Sequence, residues 1–83
     1  MSREHVFELL QAVFDDVFPR PVTVTPELSA SDVRDWDSIS HISLVVGVEQ
    51  KFGIRFRVGE VEGTRNVGDF ADLITRRLAE AGR

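Results

Sequence analysis

Eighty-three residues leave room for one small domain, since a chain this short buries only about 60 to 65% of the surface its unfolded form exposes. With 42% hydrophobic and 29% charged residues and no cysteine, the composition excludes a disordered or fibrous chain, disulfides, thiolate catalysis and cysteine-ligated metals. The net charge of -4 is concentrated before residue 38, where eight acids face three bases, against six acids and seven bases after it; a net acidic chain without a basic stripe is a poor binder of nucleic-acid phosphates and favours basic protein partners.

From Ser2 to Phe18 the apolar residues Val6, Leu10, Val13, Phe14 and Val17 recur at three- and four-residue steps. This predicts an amphipathic helix with Ser2 as N-cap and Glu4 in the first turn. Pro19 ends it, because the residue before a proline is pushed out of the helical region. Residues 19–37, PRPVTVTPELSASDVRDWD, hold all three prolines and a cluster of serine and aspartate, and read as a long, mostly irregular connection. A loop of that length in so small a domain must be tied down by its own apolar residues, for which Val22, Val24, Leu28, Val33 and Trp36 are the candidates.

A second helix is expected over Ser38 to Phe52, with Asp37 or Ser38 as N-cap and Gly53 as the left-handed residue that stops it. Ile42, Val45, Glu49 and Phe52 lie along one face, and Leu44 and Val48 widen the apolar arc. VTVT at 22–25 and IRFRV at 54–58 alternate as strands do, but two isolated short strands are marginal, so extended connectors are preferred to an α+β arrangement. Residues 59–65 have room for a short helix. Asn66, with Asp69 three residues on, opens a last helix whose Val67, Phe70, Ile74 and Leu78 share a face, and Gly82 ends it.

The expected architecture is therefore all-α: a single domain over residues 1–83, built as a bundle of three main helices plus one short helix, with a long loop between the first two. The expected core is Phe7, Leu10, Val13, Phe14, Val17, Ile42, Val45, Phe52, Phe70, Ile74 and Leu78. No apolar run approaches the roughly 20 residues of a membrane-spanning helix, and MSREHVFELL lacks the basic region and cleavage site of a signal peptide. A cytoplasmic, monomeric protein is expected.

Asp37, Ser38 and His41 are the residue types of a hydrolytic triad, but one helix start offers neither an enclosed pocket nor an oxyanion hole, so no catalytic residue is assigned. His5 and His41 are the only histidines, and no carboxylates show ligand spacing around them, so no metal site is expected. Ser38 remains, as either a helix cap or a residue modified by another protein. Asp-Ser-Ile alone favours the cap, because serine is among the commonest N-caps.

The wider pattern tips that balance. WDSISHISLVVGVEQKFGIRF, followed by TRNVGDF at 64–70, resembles the acyl carrier protein family, in which an Asp-Ser-Leu-like motif opens the second helix and the serine receives a 4'-phosphopantetheine arm. The likeness covers nearly the whole chain. It implies that Ser38 is the attachment site, that Asp37 helps a phosphopantetheinyl transferase dock, and that Ile39 is an exposed apolar contact for partner enzymes. The arm's thiol would hold an acyl or aminoacyl cargo as a thioester, which accounts for a carrier without cysteine. By this resemblance the protein is not an enzyme, and its partners are the transferase and enzymes that load and transfer the cargo.

Three departures set the chain apart from housekeeping fatty-acid carriers, and WDSISH resembles stand-alone carriers of specialised pathways. Ile39 replaces the usual leucine, Glu49 is the only acid between Ser38 and Phe52, and Gly47 stands mid-helix, where glycine costs roughly 1 kcal/mol relative to alanine. Gly47 reads either as a tolerated glycine on an exposed face or as space for cargo or another helix. Partners are expected to meet Asp32, Asp35 and Asp37 electrostatically, and to meet Ile39, Ser43 and Val46 by apolar and hydrogen-bonded contact. The alternative reading is an unmodified helical interaction module in which Ser38 only caps.

Overall fold

The computed structural model describes residues 2–82. Three helices carry it: α1 over Arg3–Val17, α2 over Ser38–Phe52 and α3 over Val67–Glu80. Single turns of 3-10 helix stand at Ala30–Asp32 and Val61–Gly63, the second of them the short helix expected in 59–65. Among the described residues there is no strand; 54–57 is an irregular connector running out of α2 into a turn at 58–60.

Local chemistry sets the ends of these helices. The Ser2 hydroxyl accepts from the His5 amide at 3.2 Å, and Asn66 Oδ1 accepts from the Asp69 amide at 2.8 Å, each satisfying an N–H that has no partner inside its helix. Gly53 closes α2 at φ 68°, with its amide donating to the Glu49 carbonyl; a Cβ is disfavoured at such an angle.

The long first loop is held at two places along its first half. The Gln11 side chain of α1 reaches into it twice, donating to the Val22 carbonyl at 2.7 Å and accepting from the Val24 amide at 3.0 Å. Farther along, the carbonyls of Leu28 and Pro26 accept from the Val67 and Gly68 amides, both at 2.8 Å, so the loop supplies acceptors to the first turn of α3. Its apolar residues do the rest: Val33 is buried, and Val22, Val24, Leu28 and Trp36 pack against the core.

Helix α1 packs against both α2 and α3. Phe14, Leu10 and Val6 from α1, Leu44 and Val48 from α2, and Val67, Leu73 and Ile74 from α3 are fully buried. This corrects the expected face of α2. Ile42, placed in the core by periodicity, is 64% exposed, and the stripe turned inward is Leu44, Val48 and Phe52. The physical reason is that α2 is apolar on nearly every side, so spacing alone does not choose which stripe meets α1. Phe7, Val17 and Val45 lie at the edge of the core, half-buried. Phe18, Ile54, Val61 and Ala71 join it unanticipated.

Candidate functional site

The junction of the long loop with α2 is built from short-range bonds. Asp37 is the N-cap: its Oδ1 accepts from the Ser40 amide at 2.9 Å, and its carbonyl accepts from the His41 amide at 2.9 Å. The Ser40 amide holds the Asp37 carboxyl below its ordinary range, with the Ser40 hydroxyl adding to the effect. Ser40 Oγ also donates back to the Asp35 carbonyl at 2.8 Å, clamping the last loop residues onto the first turn of the helix.

Trp36 anchors the junction from below. Its ring meets Phe14 edge-on at 5.5 Å and Phe18 at 5.8 Å, while its Nε1 donates to His41 Nδ1 at 3.2 Å. On this rigid base Ser38 is the first residue of α2, exposed to solvent, and among the described residues its hydroxyl has no hydrogen-bond partner. The three residue types of a triad are thus brought close in sequence but not assembled: the acid caps the helix and the histidine is turned to Trp36.

The outer face of α2 continues from Ser38 as an apolar stripe, with Ile39 at 77%, Ile42 at 64% and Val46 at 45% exposure and Ser43 exposed beside them. Ile39, Ser43 and Val46 are where the sequence reading put them. Ile42 belongs with them, and its membership was masked by the same apolar character that suggested the core. The loop acids are exposed or half-exposed but engaged: Asp32 Oδ2 accepts from the Ser29 amide at 3.0 Å and the Ser29 hydroxyl at 3.1 Å, and Asp35 pairs with Arg20 at 3.4 Å. Glu49 is engaged too, accepting from the Phe56 amide at 2.9 Å.

Between α2 and α3 opens a pocket of about 250 Å³. Leu44, Val61, Val67 and Phe70 give it apolar walls, and Trp36 and His41 stand on the side nearest the α2 start. Concave, mostly apolar sites with a few polar groups are the usual form of a small-molecule site. Sequence reasoning did not reach this pocket, because the residues that line it are gathered from both loops and two helices. Among the described residues no group of three or more His, Asp or Glu side chains is placed to hold a metal ion, and no helix is long and apolar enough to cross a membrane.

No family model matches the sequence. Individual relatives do. An acyl carrier protein of Acidothermus cellulolyticus is 35% identical over 82 residues, covering 98% of each chain. One from Renibacterium salmoninarum is 36% identical, covering 94% of this chain and 96% of its own. The meromycolate extension acyl carrier protein of Mycolicibacterium aurum is 32% identical over 90% of this chain and 78% of its own. The solution structure of a holo acyl carrier protein from Geobacter metallireducens matches with a TM-score of 0.75 and 38% identity, covering 95% of this chain and 87% of that one.

Proposed function

The chain belongs to the acyl carrier protein family, and on that premise we propose that Ser38 bears a 4'-phosphopantetheine arm and that the protein delivers an acyl or aminoacyl group to partner enzymes of a specialised biosynthetic pathway. The observation that carries the site assignment is the division of labour between Asp37 and Ser38. Asp37 supplies the capping side chain, so the alternative in which Ser38 serves only as the cap loses its structural ground. Ser38 is left with an exposed hydroxyl on a fixed backbone.

The residues fit the group. An anionic phosphodiester on Ser38 Oγ would stand at the N-terminal end of α2, where the unpaired amides and the helix dipole favour negative charge. When bound, the arm supplies the thiol that holds cargo as a thioester, a function for which this chain has no residue of its own. For attachment, Ser38 Oγ would bond to the pantetheine-side phosphorus of coenzyme A as the pyrophosphate bridge breaks and adenosine 3',5'-bisphosphate leaves, and the hydroxyl proton must pass to a base. Neither neighbour suits the role of base: the Asp37 carboxylate, whose Oδ1 accepts from the Ser40 amide, is held below its ordinary range and is a weak base, and His41 Nδ1 accepts from Trp36. The base therefore belongs to the phosphopantetheinyl transferase, and Asp37 contributes by presenting Ser38 and offering charge for docking.

As a carrier the protein performs no chemistry on the cargo; it raises the cargo's effective concentration at successive active sites. The apolar stripe Ile39, Ile42 and Val46 is the surface those enzymes meet, with Ser43 among it and Asp32 and Asp35 on the approach side. A specialised pathway is supported by the near absence of acids on α2, whose one carboxylate, Glu49, is turned to the Phe56 amide. Intact mass after incubation with coenzyme A and a broad-specificity phosphopantetheinyl transferase tests the assignment: one added arm is expected, and an unchanged mass would overturn it.

A further inference from the structure

The pocket between α2 and α3 is apolar except at a few wall positions, several of which make bonds of their own. The Thr64 hydroxyl donates to the Val61 carbonyl at 2.6 Å. Arg65 Nε donates to Asp69 Oδ2 at 3.0 Å, and Asn66 Oδ1 accepts from the Asp69 amide at 2.8 Å. Glu62 is exposed at the rim.

Asn66 Nδ2 and the outer guanidinium nitrogens of Arg65 are also donors without a partner among the described residues, but His41 differs from them in being held by an aromatic base. Its Nδ1 accepts from Trp36 Nε1 at 3.2 Å, so Nδ1 carries the lone pair and the ring proton resides on Nε2. Trp36 is itself held by Phe14 and Phe18, which fixes the imidazole's orientation as well as its tautomer. The half-buried ring lines the pocket three residues beyond Ser38, and among the described residues no acceptor meets its Nε2–H.

Resting on Ser38 as the arm's attachment point, we infer that His41 is a specificity residue for the cargo: its Nε2–H donates to an oxygen substituent of an acyl group lodged in this pocket. The class selected is an acyl group with a hydroxyl or oxo oxygen on its chain. A saturated chain of the same length would cover the N–H and leave it without an acceptor, and leaving a covered donor unpaired costs more than a typical hydrogen bond contributes. Discrimination against a substrate that lacks the matching polar group works in the same way in enzyme sites. The Trp36–His41 pair is the device that keeps the donor pointed in a form ready to be used.

The test loads the whole protein with butyryl, 3-hydroxybutyryl, 3-oxobutyryl or β-alanyl groups, using the corresponding coenzyme A thioesters and the transferase, and scores loading by intact mass. Two quantities are then read: the nitrogen-15 and proton shifts of the His41 imidazole and Trp36 indole, and the rate of thioester hydrolysis. The two oxygenated groups should move the His41 Nε2 signal and should be protected from hydrolysis about two- to tenfold relative to butyryl, the range a single net hydrogen bond supplies. His41→Phe should erase that difference, and His41→Gln, which keeps an N–H donor, should restore part of it.

Equal shifts and equal protection for butyryl and the oxygenated groups would overturn the inference while leaving the arm's attachment intact. Strongest protection for β-alanyl would also overturn it, by showing that the Glu62 carboxylate selects an ammonium group. Should no arm attach, Ser38 would be the point that failed, and free 3-hydroxybutyryl-pantetheine titrated against butyryl-pantetheine on the unmodified protein would still decide the pocket: a His41 shift with the first alone is expected, and no shift with either overturns the inference.

Discussion

Gly47 stands so close to Val13 that a Cβ built on it would lie 3.0 Å from Val13 Cγ1. The glycine is therefore the point where α1 and α2 approach, not a tolerated residue on an exposed face. Alanine would gain about 1 kcal/mol of helix propensity but would press on a branched side chain that is only 3% exposed and stiff at χ1. Overpacking of this kind costs about 1 to 3 kcal/mol, so we expect Gly47→Ala to lower stability by about 1 kcal/mol. In a Val13→Ala background the same change should stabilise. Denaturant midpoints of the double-mutant cycle measure this, and additive effects would show that the two residues do not compete for space.

Ser38→Ala should abolish arm attachment and leave the fold in place. The hydroxyl makes no bond that the structure uses, and Asp37 keeps the cap, so the expected change in stability is within about 0.5 kcal/mol. Intact mass and thermal unfolding together check the claim. A variant that still accepts an arm would move the attachment site elsewhere, and one that unfolds would make Ser38 structural.

Phe14→Ala and Phe70→Ala should each cost about 3 to 5 kcal/mol, since both side chains are buried in the core. Ile42→Ala should change stability by no more than about 0.5 kcal/mol, because its side chain is 64% exposed. Urea midpoints distinguish the two outcomes, and an Ile42 variant as damaged as the phenylalanine variants would return that residue to the core.

What the sequence made legible is what is decided locally. Ser2, Pro19, Asp37, Gly53 and the Asn66–Asp69 pair mark helix ends through bonds spanning only a few residues, and all three helices lie within a residue or two of where these signals put them. Ser38 draws its proposed assignment from a motif that is contiguous. The face of α2 was not, since Ile39, Ile42, Leu44, Val45, Val46 and Val48 satisfy several helical stripes at once and only packing against α1 selects among them. The Gln11 latch and the α2–α3 pocket join segments whose proximity no local pattern encodes, and the Trp36–His41 bond, though it spans five residues, depends on Phe14 and Phe18 holding the indole.

The Asp37 cap carries an acid dependence. Its carboxyl is held below the ordinary value by the Ser40 amide. A carboxyl lowered in the folded state adds stability that is present above the unfolded aspartate value of about 3.9 and is lost as pH falls through the lowered value. Asp69, lowered chiefly by the Arg65 side chain, acts in the same direction at the start of α3. Asp37→Asn, which can still cap but does not titrate, should narrow the difference in denaturant midpoint between neutral pH and about pH 3. An unchanged difference would mean that Asp37 does not contribute to acid unfolding.

Partner recognition should divide between charge before Ser38 and apolar contact after it. Long-range attraction chiefly sets the encounter rate, whereas close packing sets how long a complex lasts. On α2 the outward stripe is Ile39, Ile42 and Val46, and the helix's one carboxylate is already bonded to the Phe56 amide, so attraction to a basic enzyme must come from Asp32, Asp35 and Asp37. Asp32 also holds Ser29, and Asp35 pairs with Arg20, so Asp35→Asn is the cleaner probe, because a half-exposed surface ion pair contributes little to stability. Measured against a cognate partner, Asp35→Asn should slow association and flatten its salt dependence, while Ile39→Ala and Ile42→Ala should mainly speed dissociation. If Glu49→Gln alone removed most of the salt dependence, the attraction would lie on the helix and this division would be wrong.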